Sequence, residues 1–337
     1  MAARTAEGAA GSGETVCVTG AGGYIASWLV KVLLSRGYTV HGTVRDLSDW
    51  KTAHLKRLEN ASANLKLFKA DLLDYDGMAA AFAGCQGVFH VATPRQMLGP
   101  AITGTTNVLK AASAANVRRV VVASSMVAVE INPKDWPKDK IKDESCWSDK
   151  EFCRNNENWY SVAKITSEEF ALEYGRRTGL DVVTINPAVV LGPLLQPTLN
   201  ASCQFLVYFL KGGPGQMRNK LWHIVDVRDT ADALLLVYEA PEASGRHICA
   251  PYFISARDLL DLLKNMYTDE YPFVNMESIR DMEHPAPMTS DKLKKLGWSV
   301  RPLKETIADT VEYCKQAGFL DDVEGTPCRF PDIYNKI

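Results

Sequence analysis

From Thr15 onward, short runs of β-branched and apolar residues alternate with longer stretches whose apolar positions recur at helical spacing. The runs Val16–Thr19, Thr39–Val44, Leu65–Lys69, Gly87–Val91, Arg119–Ser124 and Asp181–Asn186 predict strands. The stretches near 23–36, 74–83, 101–115 and 159–177 predict the helices between them. Alternation of this kind implies a parallel sheet, because each helix returns the chain to the same end of the sheet. Right-handed crossovers then build a doubly wound sheet covered on both faces. The expected fold class is therefore α/β, a Rossmann-type sheet with a small α+β lobe following it.

After Asn186 the texture changes. Pro187, Gly192, Pro193 and Pro197 crowd together, and Gly212-Gly213-Pro214-Gly215 marks another loop. Asp226 reads as an N-cap, with Asp229 three residues on, opening a helix through Tyr238. The expected layout is a disordered tail over 1–13 and a dinucleotide-binding domain over 14–190. Residues 191–325 are expected to form mainly a substrate-binding lobe, with some return to the sheet, and 326–337 a C-terminal tail.

Composition narrows the classes. With 46% hydrophobic and 23% charged residues, the 337-residue chain has ordinary soluble character and enough length for one large domain or two smaller ones. A net charge of −2 gives no electrostatic footprint for nucleic acid. No apolar run is long enough to span a bilayer. The first fourteen residues lack the apolar core of a secretory signal, and their single Arg is too little for a transit peptide, so a cytoplasmic location is expected. The eight cysteines form no Cys-x-x-Cys pair and do not cluster with the six histidines, so neither a metal site nor a disulfide framework is expected. Without a signal, the sequons at Asn60 and Asn200 are read as chance matches.

The first candidate chemistry is the turn Gly20-Ala21-Gly22-Gly23-Tyr24-Ile25-Ala26, between the first strand and first helix. Gly20 permits a tight turn, Gly23 lets backbone approach a pyrophosphate, and Ala26 is small enough for close helix–strand packing. At the end of the second strand stands Arg45, with Lys51 six residues later, where an NAD-preferring site would carry an acid. Both cations suit a 2′-phosphate, which favours NADP(H); the bland alternative is a pair of solvated charges beside Asp46. Asp71 and Leu72, past the third strand, are placed for the adenine, unless Asp71 merely caps the next helix.

The second is catalytic. Tyr160 and Lys164 lie four apart, on one face of a predicted helix. A fixed ammonium beside a phenol favours its ionisation and suits it to pass a proton to or from a carbonyl oxygen. Ser125 stands just past the carboxyl end of the fifth strand, where ligands bind in open parallel sheets. Neighbouring strand residues point to opposite faces, so Ser125 rather than Ser124 is expected to look into the cleft.

Together with Val16-Cys17-Val18-Thr19-Gly20 through Trp28, Gly42-Thr43-Val44-Arg45-Asp46, Asp143-Glu144-Ser145-Cys146-Trp147-Ser148-Asp149, Asn158-Trp159-Tyr160 and Gly192 through Ser202, these motifs resemble the extended short-chain dehydrogenase/reductases. Within them the chain is most similar to plant cinnamoyl-CoA reductases and their dihydroflavonol reductase relatives, over about residues 14–320. The resemblance implies NADPH-dependent reduction of a hydroxycinnamoyl-CoA thioester to its aldehyde, in phenylpropanoid metabolism such as lignin or defence phenolics. Ser125, Tyr160 and Lys164 would be the catalytic group, with Tyr160 and Lys164 also touching the cofactor. It further implies cofactor contacts at Val91, Ala92 and Thr93, at Pro187, Ala188, Val189 and Val190, and at Ser202, in a monomer or weak dimer.

The chain departs from that pattern twice. Ser161 stands where some relatives carry a cysteine able to pair with the position of Cys153, so that redox link is expected to be absent. The loop from Arg95 to Gly99 is also shorter than usual. Two further readings follow: reduction of a ketone or aldehyde on a flavonoid or small phenolic, and a weakly active or non-catalytic NADPH-binding regulatory protein. For the substrate pocket, Tyr208, Phe209, Trp222 and Phe253 offer either an apolar slot or plain core. Arg218, Lys220 and His223 offer contacts to CoA phosphates or simply solvated charge.

Overall fold

The structure is a computed structural model describing residues 13–92, 98–133, 139–213, 215–268, 270–284, 286–321 and 328–335. The first half runs β1 (Thr15–Val18), α1 (Tyr24–Ser35), β2 (Thr39–Val44), α2 (Ala61–Asn64), β3 (Leu65–Lys69), α3 (Tyr75–Phe82), β4 (Gly87–His90), α4 (Leu98–Ala114), β5 (Arg119–Ala123), α5 (Lys150–Asn155), α6 (Trp159–Thr178) and β6 (Asp181–Pro187). The second half runs β7 (Val189–Leu191), α7 (Ala201–Leu210), β8 (Met217–Arg218), β9 (Leu221–Asp226), α8 (Val227–Glu239), β10 (Gly245–Cys249), β11 (Tyr252–Ser255), α9 (Ala256–Met266), β12 (Ile279–Arg280), α10 (Asp291–Lys295), α11 (Leu303–Gln316) and α12 (Asp332–Asn335).

Seven strands form one sheet in the order β10-β6-β5-β4-β1-β2-β3, every neighbouring pair parallel. The order reverses direction on either side of β1, which opens a crevice at the carboxyl ends of β1 and β4. Val16, Cys17 and Val18 of β1 and Val120 and Val121 of β5 have no exposed surface, as befits central strands covered on both faces. One face packs α1 and α8, which lie against each other. The other packs Met78 and Phe82 of α3, Val108 and Leu109 of α4, and Ala171 and Tyr174 of α6. Gly87 of β4 has to be glycine: a Cβ there would sit 2.2 Å from the Tyr238 ring of α8.

The six predicted strands appear within a residue or two at each end. Helix α4 starts at Leu98, earlier than its pattern suggests, and a 3-10 helix at Trp50–Arg57 and helix α5 stand where no element was read. The seventh strand, β10, comes from residue 245 onward and pairs with β6. The lobe adds a three-stranded sheet, β11-β9-β7, and a small pair, β12-β8. The residues from 328 to 335, within the stretch read as a tail, pack on that lobe. The Phe330 and Tyr334 rings lie 6.0 and 5.6 Å from Phe205 of α7, and 6.3 and 5.5 Å from Trp222 of β9. The N-terminal residues 1–12, Thr93, and all of the brief loop after Pro94 up to Met97 lie outside the described residues. Among the described residues no helix is long and apolar enough to cross a membrane.

Candidate active site

The glycine turn sits at the carboxyl end of β1. Gly20 adopts φ +64°, a left-handed conformation that side-chain-bearing residues avoid. Thr43 of β2 holds the turn: its Oγ1 accepts from Gly20 N at 3.0 Å and its carbonyl from Ala21 N at 2.9 Å. Ala21 is buried beneath the turn. Gly23 is the N-cap of α1, with no side chain to cap the helix and no acid in its first turn. The first N–H groups of α1 and its positive dipole end are thus left for an anion in the cleft that Tyr24, Ile25 and Ala26 line.

Arg45 leaves the end of β2, and Lys51 the 3-10 helix that follows. Both are exposed, and among the described residues neither has an ion-pair partner. Lys51 Nζ lies 5.9 Å from the centre of the Trp50 ring. Asp46 also lines the cleft, and its carboxylate is engaged within its own loop, accepting from Ser48 N at 2.9 Å and Ser48 Oγ at 2.7 Å. Those bonds hold its carboxyl below the usual value. Asp71 accepts from Leu73 N at 2.9 Å, while Asp74 is the N-cap of α3 and accepts from Gly77 N at 3.1 Å. Capping therefore falls to Asp74, and Asp71 and Leu72 line the cleft.

Helix α6 opens with Asn158, whose Oδ1 accepts from Ser161 N at 3.1 Å. That cap fixes where the helix begins and hence which face Tyr160 and Lys164 share. Ser125 and Tyr160 both line the cleft, with the Ser125 hydroxyl near enough to the phenol to bear on its ionisation. Burial pushes the phenol above its ordinary value and the nearby Ser125 hydroxyl pulls it back in part. The lowering expected from Lys164 is not the governing influence. Lys164 instead donates to the Ala123 carbonyl at 3.1 Å, and burial pulls its ammonium down to about 8 against the supporting charge of Glu168. The choice between the two serines is clear in the bonding: Ser124 Oγ turns to Glu168 Oε2 at 2.6 Å.

Glu168 extends the Tyr160–Lys164 stripe by one more turn, and no sequence motif pointed to it. Its carboxylate has no exposed surface and accepts from Ser124 Oγ, Thr184 Oγ1, Asn186 Nδ2 and Arg246 Nε at 2.6–2.8 Å. Asn186 Nδ2 also donates to the Ser125 carbonyl at 3.2 Å. Arg246 comes from β10, donates to the Glu144 and Ala128 carbonyls at 3.1 Å, also bonds the Cys146 carbonyl, and stacks 3.6 Å from the Trp147 ring centre. The satisfied ion pair thus ties α6, β6 and β10 to the backbone of Ser125. Thr19 was missed too: its Oγ1 accepts from Val91 N and Ala92 N at 3.1 Å and pairs with buried His90, holding the ends of β1 and β4 together.

A cleft of about 910 Å3 joins these parts. It is lined by every expected site residue among those described except Ala21, including Val91, Ala92, Pro187, Ala188, Val189, Val190 and Ser202. It also takes in Gln196, Thr198 and Asn200, ahead of α7, and Ile333 and Tyr334 of α12. The Oδ1 of Asn200 and Oε1 of Gln196 are buried without a hydrogen-bond partner. The aromatic slot is a different matter: Tyr208, Phe209 and Trp222 are buried in the lobe, Phe253 is exposed, and none lines the cleft. Lys220 pairs with Glu130 at 3.6 Å, His223 is buried and accepts from Met288 N, and Arg218 is exposed away from the cleft. Ser161 is buried with its hydroxyl unpartnered, and Cys153 is a free, buried thiol.

Residues 16–249 match the NAD dependent epimerase/dehydratase family. Cinnamoyl-CoA reductase 1 of Petunia hybrida is 46% identical over 92% of this chain and 94% of its own. Among solved structures, vestitone reductase from alfalfa superposes with a TM-score of 0.81 at 32% identity, covering 91% of this chain and 99% of the other. Gre2 of Candida albicans in complex with NADPH gives 0.77 at 26% identity, covering 90% and 99%. The glycine turn, the Ser125–Tyr160–Lys164 group and these matches agree: the chain belongs to the NAD dependent epimerase/dehydratase family, as an extended short-chain dehydrogenase/reductase of the cinnamoyl-CoA reductase kind.

Proposed function

We propose that this protein is an NADPH-dependent reductase that converts a hydroxycinnamoyl-CoA thioester to the aldehyde and free CoA. The observation that carries the reading is the meeting of Ser125, Tyr160 and Lys164 with the uncapped start of α1 and the exposed cations Arg45 and Lys51 in one cleft. The cradle fits the cofactor. The start of α1 would take the pyrophosphate, Arg45 and Lys51 the 2′-phosphate, and Tyr160 and Lys164 the nicotinamide ribose. Its relatives support the same substrate class, since the Petunia protein at 46% identity is named for it.

When bound, NADPH supplies the hydride that reduces the thioester carbon. Ser125 and Tyr160 hold the carbonyl oxygen as charge develops on it. The raised pKa of Tyr160 keeps it a phenol at neutral pH, so it has a proton to donate to that oxygen. The ammonium of Lys164 offsets the charge left on Tyr160 until solvent reprotonates it. The tetrahedral carbon then collapses: the C–S bond breaks, the C=O bond re-forms, and the hydroxyl proton ends on the CoA sulfur. One thioester, one NADPH and one proton give one aldehyde, one thiol and NADP+.

A second reading, reduction of a ketone on a flavonoid, draws on the likeness to vestitone reductase and uses the same three residues. Free thiol separates the two. With NADPH and feruloyl-CoA, thiol is expected to appear in step with NADPH loss. Tyr160→Phe is expected to lose about a hundredfold or more in kcat while still binding NADPH. Turnover of dihydroflavonols or aldehydes with no thiol from any hydroxycinnamoyl thioester overturns the first reading. Unchanged turnover in Tyr160→Phe overturns the role of the phenol.

A further inference from the structure

The four aromatic residues that the sequence offered for a substrate slot do not line the cleft, and one that it did not offer does. Tyr334 of α12 lines the cleft together with Tyr160 and Ser202. Its ring is only partly buried, so part of it stays open. Its back is held by a framework of rings: Phe205 at 5.6 Å, Trp222 at 5.5 Å and Phe330 at 6.2 Å, with Phe330 itself braced by Tyr208 at 5.1 Å. Its hydroxyl is near enough to Ser202 and Tyr160 for both to bear on its ionisation, and ionising one phenol disfavours ionising the other. Tyr334 is therefore a rigidly backed aromatic ring beside the group that protonates the substrate.

We propose that Tyr334 is a specificity-determining wall of the substrate pocket, against which the aromatic ring of the acyl group packs. This rests on the reading of the site as an acyl-CoA reductase. In a conjugated aryl-propenoyl thioester the phenyl ring is coplanar with the reacting carbonyl and held at a fixed reach from it. Once Ser125 and Tyr160 fix the carbonyl oxygen, the phenyl ring is swept to a defined place in the cleft. Offset or edge-to-face contact with Tyr334 then favours an aromatic acyl group over an aliphatic one with the same reacting atoms. The ring framework matters because a wall free to swing away would discriminate little.

The test compares kcat/KM for feruloyl-CoA with that for crotonyl-CoA, an aliphatic thioester carrying the same conjugated carbonyl. Tyr334→Ala is expected to lower the aromatic-to-aliphatic ratio by about tenfold, mostly through KM, while Tyr334→Phe keeps it. NADPH affinity, followed by fluorescence, is expected to be the same in all three proteins. A ratio in Tyr334→Ala within about twofold of the unmodified enzyme, or an equal loss in Tyr334→Phe, overturns the proposal. A measurement on the unmodified, NADPH-loaded chain covers the case of a variant that does not fold. A non-reducible thioether analogue of feruloyl-CoA is expected to slow amide exchange over 329–335, and unchanged exchange overturns the proposal. Should the unmodified enzyme reduce carbonyl compounds but no thioester, the acyl-CoA reading falls. The wall is then judged on the ratio of an aromatic to an aliphatic aldehyde.

Discussion

Glu168 shows how a residue without a motif can govern residues that have one. Its carboxylate is sealed from solvent, satisfied by four side chains, and one turn beyond Lys164. Removing the charge leaves the Lys164 ammonium with desolvation unopposed and Arg246 uncompensated nearby, and both effects favour neutral lysine. Glu168→Gln is therefore expected to move the alkaline limb of kcat/KM for NADPH to lower pH by about one unit. A variant that is slower at every pH with its alkaline limb in place shows that Glu168 supports only the fold. Ser125, Tyr160 and Lys164 could be read from the sequence because strand-end position and helical spacing are local. Glu168 and Arg246 could not, since the pair is separated by 78 positions and only the sheet order brings them together.

At the scale of elements, α6 acts as the ruler of the site. Its start is fixed by the Asn158 cap, and Tyr160, Lys164 and Glu168 follow at successive turns. Asn158→Ala is expected to cost about 1 kcal/mol of stability and to lower kcat, because fraying the first turn frees Tyr160 before anything else. Asn158→Asp, an equally good cap, is expected to restore both; melting curves and kcat on the three proteins check this. An alanine variant with an undisturbed melting temperature shows that the cap carries no weight here. Strands β1, β4, β5 and β6 were legible because buried parallel strands are written as apolar runs, whereas the edge strand β3 has no fully buried position. Strand β10 was not, because Arg246 and His247 interrupt its pattern, and both are buried for reasons the sequence does not carry. The aromatic wall was illegible for a related cause: Tyr334 gains its place from Phe205 and Trp222, more than a hundred residues upstream.

Across the whole molecule, three buried histidines link stability to pH. Burial lowers His90 to about 3 and His223 and His247 to about 4, from 6.5. Above 6.5 each is neutral whether the chain is folded or not, and its full contribution is present. As pH falls from 6.5 towards those lowered values, the unfolded chain binds protons that the native one refuses, so stability is lost. At pH 5 the loss is on the order of 1–2 kcal/mol for each histidine. The melting temperature is expected to fall steadily between pH 7 and pH 5 at fixed ionic strength, above the range where most carboxylates titrate. A flat profile over that range contradicts the assignment. The tertiary burial that depresses these groups is invisible in sequence, where His90, His223 and His247 look no different from exposed ones.

The pairing of β10 with β6 also sets an order of events during synthesis. A nascent chain presents Tyr160, Lys164 and Glu168 long before Arg246 leaves the ribosome. Until then Glu168 lacks its Arg246 partner and the edge of β6 is open. At about 5–20 residues per second, α6 waits several seconds for the strand whose Arg246 pairs with Glu168. Assembly of the candidate site is thus a late step, and a truncated translation product ending before β10 carries Ser125, Tyr160 and Lys164 without the support that keeps them in place.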